Sequence, residues 1–408
     1  MTGAYCSCIM PEYHKLLSRM LKIIHTSDWH IGHRLYGYAR HQEFEFLFSS
    51  LSDIVKREEA DVMIVSGDIF DLPAPSAASQ HLFTDALIRI RRESPGMAII
   101  LIAGNHDSAS RLEAGSALWR EIGVEIAGGC DMDDIERNLK KIGDKGIVAA
   151  APYIVRHFNC NGAEDNRESA IFRMLEQACA DAAPSLPAVL AAHVGVHAGH
   201  TGDDSPGHTV GNLDTVDISI FGRTWRYVAL GHIHRPCSLS ETVRYCGSPL
   251  PVGFDEDYPH GVSVVSISED AAVPPEVKMV EIEPLRPLVT FPSRPSSWKE
   301  VAKSLATEEW PENAYIRLNL IYEPDTPSDI REQAVAALRH SNVRFCTIKF
   351  SYPFTDNDDS GVRVYDVDEF TRLTPDDIAA DFFASKGFGA DEVESLRSLL
   401  HELEQDLE

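Results

Sequence analysis

The sequence predicts an α/β fold, and three patterns along the chain predict it. Short apolar runs rich in β-branched residues are typical of strands covered on both faces, and they lie at 21–26, 61–66, 97–103, 188–192 and 227–230. Between them, apolar residues recur at helical spacing with charges on the opposite face, as in helices that cover a sheet. Polar clusters follow the runs directly. In layered α/β proteins such clusters meet outside the carboxyl ends of the strands, so we expect one shared site there.

Further elements are predicted between and after these runs. They are helices at 44–55, 82–90 and 170–182 and a strand at 146–153. The stretch 195–212 is rich in Gly, His and Asp and is predicted to be a loop near the shared site.

The composition changes after Ile282, and a second, smaller domain is predicted there. Proline-rich stretches at 283–287 and 292–297 mark the boundary. Helical and strand patterns then alternate, at 298–305, 314–322, 327–339 and 343–350. This alternation predicts a small α+β domain at 285–355.

The last segment, 356–408, is predicted to be an acidic helical tail. Thr374 and Pro375, followed by two aspartates, have the features of a helix N-terminus. A second helix presents a stripe of leucines, which either the tail's own core or a partner protein must cover. From Ser351 onward, 16 acidic residues stand against 4 basic ones, a net of −12 within a chain total of −26.

The composition is that of a globular protein without a membrane-spanning segment. With 408 residues, 44% of them hydrophobic, the chain is long enough for one large core and smaller modules. No apolar run approaches the ~18–20 residues that cross a bilayer, and the N-terminus lacks a secretory h-region, so a cytoplasmic location is expected. The eight cysteines form no C-x-x-C pair, which argues against a disulfide framework and a zinc knuckle. Residues 1–20 are interpreted as an N-terminal extension from a misassigned start, with Met20 the natural beginning.

Seven potential metal ligands occur in five short clusters that follow the predicted strands. They are Asp28, His30, Asp68, Asn105, His193, His232 and His234. Two of the clusters place ligands at i and i+2, and on an extended strand such residues point to the same face, so each pair is expected to converge on one ion. Glycine precedes three of the ligands, where we expect the chain to turn sharply.

The ligand types indicate a two-metal phosphoesterase. Carboxylates, an amide oxygen and imidazoles together suit Mn²⁺, Fe²⁺ or Zn²⁺ better than Mg²⁺ or Ca²⁺, which favour all-oxygen shells. Two ions about 3.5–4 Å apart can share a carboxylate, activate water and neutralise charge on a phosphoryl group, and Asp68 is the expected bridge. A single Gly-Asp pair or a lone histidine is more often structural, so the prediction depends on the full ordered series.

The ordered motifs resemble the calcineurin-like metallophosphoesterase superfamily, whose core is two packed sheets flanked by helices. Longer strings are similar to its SbcD family of bacterial nuclease subunits: HTSDWHIG from His25, VSGDIFDLPAPS from Val65, AGNHDS from Ala103, LGHIHRP from Leu230 and YCGSPLPVGFDE from Tyr245. The resemblance covers most of the chain from Leu21 onward. It implies an α/β four-layer sandwich with a small α+β cap domain and a helical tail.

The resemblance also implies a role for each ligand. One ion would be surrounded by Asp28, His30, Asp68 and His234, and the other by Asp68, Asn105, His193 and His232. His106 would face the scissile phosphate, where it stabilises the transition state or protonates the leaving oxygen. Asp107 either orients this motif or serves the turn. Archaeal and eukaryotic relatives carry a histidine where this chain has Asp71, so the contribution of that histidine to exonuclease selectivity does not transfer.

The implied activity is that of a Mn²⁺-dependent DNA nuclease subunit in repair, recombination and replication. It would act as an exonuclease on double-stranded ends and as an endonuclease on hairpin or single-stranded DNA. Its partners would be DNA, the SMC-like ATPase SbcC, contacted through the tail 356–408, and a second copy of the chain within a heterotetramer, with helices near 76–120 contributing to the dimer.

Two alternatives stay open beside this interpretation. A phosphatase or phosphodiesterase acting on small nucleotide substrates would need the same ligands. A scaffold without activity is the other alternative, although the ligand set is complete. The net charge of −26 is unexpected for a chain that binds DNA phosphates unaided, which fits a partner that supplies DNA affinity.

Overall fold

The computed structural model describes residues 20–154, 167–197 and 215–351. The predicted N-terminal extension, most of the predicted loop 195–212 and the predicted tail 356–408 lie outside these residues. Within the described residues the strands are β1 (Leu21–Thr26), β2 (Arg34–Leu35), β3 (Tyr38–Ala39), β4 (Val62–Ser66), β5 (Ala98–Ile102), β6 (Val124–Ala127), β7 (Leu139–Ile142), β8 (Gly146–Ala151), β9 (Ala188–His193), β10 (Gly195–His197), β11 (Thr215–Asp217), β12 (Tyr227–Gly231), β13 (Cys237–Ser238), β14 (Val243–Tyr245), β15 (Gly261–Ile267), β16 (Glu276–Glu281), β17 (Leu288–Ser296), β18 (Tyr315–Ile321) and β19 (Arg344–Ser351).

The helices of the same part of the chain lie between these strands. They are α1 (His41–Glu58), α2 (Ala77–Glu93), α3 (Ala109–Glu113), α4 (Ser116–Glu121), α5 (Arg167–Ala182), α6 (Trp298–Leu305) and α7 (Ile330–Leu338). Not one of them is long and apolar enough to cross a membrane.

Two six-stranded mixed sheets form the main body. The first has the order β16-β15-β1-β4-β5-β6, in which β1, β4, β5 and β6 are parallel. The second has the order β13-β14-β12-β9-β8-β7, in which β14, β12, β9 and β8 are parallel. Every residue of β4, β8 and β12 is buried, as expected for strands covered on both faces.

The sheets pack face to face between two layers of helices. Buried side chains from both sheets form one cluster, including Ile23 and Ile64 from the first sheet and Val189 from the second. Helices α1 and α2 cover the outer face of the first sheet, and α5 covers the outer face of the second. The predicted α/β four-layer sandwich is confirmed.

A row of small side chains lies on the inner face of the second sheet. Ala191 of β9 pairs in register with Ala150 of β8 on one side and with Ala229 of β12 on the other. All three are buried in the cluster between the sheets. Beside this row, the Ser66 hydroxyl of the first sheet donates to the Ala229 carbonyl at 2.9 Å, which joins the two sheets directly.

A three-stranded sheet in the order β17-β18-β19 follows the main body, with α6 and α7 packed on it around a separate apolar cluster. The stretch 292–297, expected to be part of a boundary, lies largely within β17, where the Phe291–Pro292 peptide is cis and the register shifts after Phe291. Proline is tolerated there because β17 is an edge strand with a bulge. The proline-rich sequence was therefore a poor guide to this strand.

Candidate metal centre

The five ligand clusters lie at the carboxyl ends of β1, β4, β5, β9 and β12, so the first sheet supplies three of them and the second sheet two. The parallel strands of each sheet end at the same edge, which brings all seven expected ligands together. Asp28, His30, Asp68 and His193 are buried, whereas Asn105 is exposed at the surface end of the site.

The first expected ligand group is compact. Ligand atoms of Asp28, His30 and His234 all lie within 4.8 Å of one another. Nε2 of His30 lies 3.1 Å from Nε2 of His234 and 3.8 Å from Oδ2 of Asp68. The four residues therefore present nitrogen and oxygen atoms to one small volume.

The second expected ligand group shares Asp68 with the first. Oδ2 of Asp68 lies 3.4 Å from Nε2 of His193. The side-chain oxygen of Asn105 lies 2.9 Å from that nitrogen and 3.0 Å from Nδ1 of His232. Asp68 thus stands between the two groups, where the sequence predicted a bridging carboxylate.

The chemistry of these donors fits a divalent cation. Nδ1 of His193 lies 2.7 Å from the Ser66 carbonyl oxygen, which can only accept, so Nδ1 carries the proton and Nε2 presents a lone pair. That lone pair faces the side-chain oxygens of Asp68 and Asn105. Acceptors that face one another in a buried space repel unless a cation or a proton lies between them.

The alternative to a metal ion would be protonation of His193. Burial alone lowers the pKa of this histidine, but its hydrogen bond with Asp68 and the charge of that carboxylate raise the pKa to about 9. Burial also raises the pKa of Asp28. These groups strongly attract positive charge, and the His/Asp cluster is suited to bind a divalent metal ion.

The reason expected for the convergence of Asp28 and His30 was wrong. Strand β1 ends at Thr26, and both residues lie beyond it with left-handed backbone angles, φ 52° and 45°. His232 likewise follows β12 with φ 101°. The ligands converge because tight loops, rather than alternation along a strand, aim them inward. Such angles are uncommon for residues other than glycine and cluster at functional sites.

Hydrogen bonds between neighbouring loops hold these angles. The Asp28 amide donates to the Gly67 carbonyl at 2.9 Å, and the His30 amide donates to the Asp68 carbonyl at 3.0 Å. The loops after β1 and β4 are therefore locked together through their backbones, and each ligand loop supports the other.

The motif glycines are required mainly because loops approach closely. A Cβ on Gly67 would overlap His193, one on Gly104 would overlap Asp68, and one on Gly231 would overlap the Ser66 carbonyl. Of the three, only Gly67 has a positive φ, +91°. The sharp turn expected at each glycine is thus found at Gly67, while Gly104 and Gly231 leave room for another loop.

His106 lies beside the two groups and is exposed. Its amide donates to Oδ1 of Asp68 at 2.9 Å, and its Nδ1 donates to the Asp71 carbonyl oxygen at 3.0 Å. Because Nδ1 is engaged with an acceptor, Nε2 is the free ring nitrogen. The Asp71 carboxylate is oriented toward His30, with Oδ1 3.8 Å from Nδ1 of that histidine.

Asp107, whose role the sequence left open, joins two ligand loops. Its carboxylate accepts from the amides of Ile69 and Phe70, at 3.0 and 2.9 Å, and from the amide of Gly104 at 2.9 Å. The loops carrying Asp68 and Asn105 are thereby held at a fixed separation.

Two contacts behind the ligands were not predicted from the sequence. One is the Ser66 carbonyl that orients His193. The other is Glu256, whose Oε1 lies 3.0 Å from Nδ1 of His234. The string that ends at Glu256 was noted only for its resemblance, and no spacing rule connects it with a ligand 22 residues earlier.

Comparisons with known proteins indicate the family of this chain. The family model described as Calcineurin-like phosphoesterase matches residues 21–236. The chain is 34% identical over 275 residues to the SbcD subunit of the nuclease SbcCD from Rhodobacter capsulatus, covering 62% of this chain and 68% of that protein. It is 31% identical to the SbcD subunit of Bacillus subtilis, covering 60% and 66%, and 27% identical to that of Staphylococcus epidermidis, covering 66% and 71%.

Proposed function

Because this chain belongs to the calcineurin-like phosphoesterases and, among them, to the family of SbcD nuclease subunits, we propose that it is the nuclease subunit of an SbcCD-type complex. It is then a metal-dependent hydrolase that cleaves DNA phosphodiester bonds. The observation that carries this proposal is the shared position of Asp68 between two groups of nitrogen and oxygen donors.

The proposed ligand sets follow from that arrangement. One ion is held by Asp28, His30, Asp68 and His234, and the other by Asp68, Asn105, His193 and His232. The mixture of imidazole and carboxylate donors favours Mn²⁺ as the native metal. When bound, such a pair of ions polarises the phosphodiester and lowers the pKa of water.

The chain's own residues position the two ligand groups and supply a proton donor. Asp68 spaces the two ligand groups, and Asp107 keeps the loops of Asp68 and Asn105 in register. His106 has Nδ1 fixed on the Asp71 carbonyl, so a protonated Nε2 can donate to the leaving oxygen or to a phosphoryl oxygen that gains negative charge in the transition state. His106 is the proposed catalytic residue.

The other parts of the chain have proposed roles in assembly. The domain at 285–355 is proposed to read DNA shape beside the site, and the tail 356–408 to dock on the SbcC ATPase. Dimerisation, with helices near 76–120 contributing, is proposed from the family membership alone. The net charge of −26 favours a partner that supplies the DNA affinity, and a genomic substrate implies a cytoplasmic location.

The direct test is Mn²⁺-dependent cleavage of end-labelled duplex and hairpin DNA by the purified chain, with and without the ATPase partner. We expect cleavage that requires Mn²⁺, responds to ATP when the partner is present and is lost in His106→Ala. The matched control is His41→Ala, which removes a half-exposed histidine on α1 away from the ligand loops. Hydrolysis of a p-nitrophenyl phosphodiester without DNA cleavage under either condition would instead support a phosphodiesterase of small substrates.

A further inference from the structure

Glu256 lies directly behind a proposed metal ligand and is nearly buried, with 13% of its side chain exposed. Oε1 of Glu256 accepts from Nδ1 of His234 at 3.0 Å, and Oε2 accepts from the Val252 amide at 2.8 Å. Because Nδ1 of His234 is turned to the carboxylate, Nε2 is the nitrogen that faces His30, 3.1 Å from Nε2 of that residue. Glu256 therefore determines which nitrogen of His234 enters the site.

The segment that carries Glu256 is held by the domain at 285–355. Arg317 of β18 donates to Oδ1 of Asp255 at 2.8 Å and to the Phe254 carbonyl at 3.1 Å. Its guanidinium also lies over the Phe254 ring, 5.1 Å from the centroid. Arg317 is itself buried, so its position is fixed by the domain that carries it.

A second connection reaches the start of the same segment. Arg40 donates to the Pro251 carbonyl at 2.8 Å and pairs with Glu43 at 2.8 Å. Glu43 in turn accepts from the Tyr315 hydroxyl of β18 at 2.6 Å. Arg40, Glu43, Pro251 and Tyr315 are all buried. The 251–256 segment is therefore connected to β18 near both of its ends, through Arg40 and Glu43 at its start and directly by Arg317 near its end.

We propose that Glu256 is a positioning residue for His234 and that Arg317 extends this control to the domain at 285–355. The carboxylate fixes the tautomer and ring orientation of His234, and the domain fixes the carboxylate. The proposal depends on the ligand role of His234 given under the proposed function. It predicts that a displacement of β18 changes metal affinity although no residue of β18 touches the metal site.

Metal binding to the metal-free protein tests the Glu256 step without reference to activity. Titration calorimetry with Mn²⁺ is expected to show affinity about 10–100-fold weaker in Glu256→Gln, the range typical for loss of a carboxylate behind a ligating histidine. The matched control is Glu113→Gln. Like Glu256, Glu113 accepts from a backbone amide and pairs with a basic side chain, here that of Arg137, but it lies away from the site. If Glu256→Gln does not fold, Glu256→Asp takes its place, because it withdraws the carboxylate from His234 and keeps the charge.

A second pair of variants tests the role of the domain. Arg317→Gln is expected to weaken Mn²⁺ binding in the same direction as Glu256→Gln but by less. Its control is Arg331→Gln, because Arg331 also donates to a backbone carbonyl, of Cys346 at 3.3 Å, and lies over a ring, of Phe345 at 5.2 Å, without touching 251–256. Unchanged affinity in Arg317→Gln would overturn the contribution of the domain.

His234→Ala distinguishes failure of this inference from failure of the proposed function. Loss of Mn²⁺ affinity in His234→Ala with wild-type affinity in Glu256→Gln would overturn the positioning role and leave the ligand set standing. Wild-type affinity in His234→Ala would overturn both. The paramagnetic resonance spectrum of bound Mn²⁺ gives an independent readout, because a changed His234 orientation alters the spectrum whereas a loss of stability alone does not.

Discussion

His106 and Asp68 are neighbours in space, but their side chains are held to different degrees. One oxygen of Asp68 accepts from the His106 amide and the other lies near both His30 and His193, so the carboxylate is held within the proposed metal centre. His106 is attached to that centre through its backbone, through Nδ1 and through an edge contact with the His30 ring, whose centroid lies 4.8 Å away, and the residue is exposed. The role proposed for His106 requires a ring that substrate can reach, whereas the bridging role proposed for Asp68 requires a fixed carboxylate.

This difference predicts separate effects on metal binding and turnover. Asp68→Ala is expected to lose both, because the two ligand groups lose their shared oxygen donor. His106→Ala is expected to keep wild-type metal content while kcat falls by about 10²–10⁴-fold, the usual contribution of a proton donor. Metal content measured by mass spectrometry beside kcat separates the two, and equal metal loss in both variants would remove the distinction.

His25 makes a different kind of prediction, about acid stability. Burial, followed by the charge of Arg244, lowers the pKa of His25 from 6.5 to about 3. The unfolded chain takes up a proton below pH 6.5 and the folded chain only near pH 3, so protonation increasingly favours unfolding as the pH falls between these values. One such group costs about 1.4 kcal/mol of stability per pH unit in that window.

The test compares His25→Gln with the wild-type protein, both in chelator so that metal binding does not contribute. Glutamine can still pair with the Tyr227 hydroxyl, which lies 2.9 Å from Nδ1 of His25, but it does not titrate. The free energy of unfolding is expected to fall less steeply in the variant between pH 6 and 4. His81→Gln changes an exposed histidine on α2 and should retain the wild-type slope.

At the scale of elements, the loops after the strands are shaped by what packs against them. Gly67 lies where the loop after β4 meets His193 from β9, and its φ is +91°. A side chain there is strained by the backbone angle and collides with a ligand from the other sheet. The backbone angle and the contact with His193 thus both oppose a side chain at Gly67.

Gly67→Ala is therefore expected to weaken Mn²⁺ binding by about 10-fold or more, since His193 must move to admit the new Cβ. Gly96→Ala is the matched control, because Gly96 has no positive φ and a Cβ added there would meet no atom within 4 Å. Calorimetry on both variants, beside their melting temperatures, shows whether the effect is on the site or on folding. A melting temperature that falls in Gly67→Ala with unchanged affinity would contradict the steric explanation.

The sequence predicted the strands that lead to the candidate site because buried strands have an apolar pattern, and the seven expected ligands meet at the ends of those strands in the structure. It did not predict how the ligands turn inward: Asp28 and His30 depend on backbone hydrogen bonds to the neighbouring loop, which no local pattern encodes. β17 was missed because proline usually interrupts strands. Glu256 was missed because its contact with His234 depends on how the intervening chain folds back.

At the scale of the whole molecule, the proposed metal centre lies between the two sheets. Asp28, Asp68 and Asn105 come from the first sheet, and His193, His232 and His234 come from the second. An ion bound between them ties the sheets together, so folding and metal binding are linked.

Removal of the metal is accordingly expected to lower the melting temperature. At free Mn²⁺ about a hundredfold above its dissociation constant, binding stabilises the folded state by about 2.7 kcal/mol. Differential scanning calorimetry with Mn²⁺ and with chelator should show this shift in the wild-type protein and in His106→Ala, but not in Asp68→Ala. An equal shift in Asp68→Ala would place the stabilising ion elsewhere.

The alanine row formed by Ala150, Ala191 and Ala229 affects the geometry of the site, because the site lies between the two sheets. The thickness of the layer between the sheets sets the distance across which the two halves of the ligand set face one another. A valine or isoleucine in the row would increase the distance between the sheets and so move His193 and His232 away from Asp68 and Asn105. The separation of the two halves of the site thus depends on alanine methyl groups in the buried interior. Substitutions at these positions would change the activity although none of the three residues contacts metal, water or DNA.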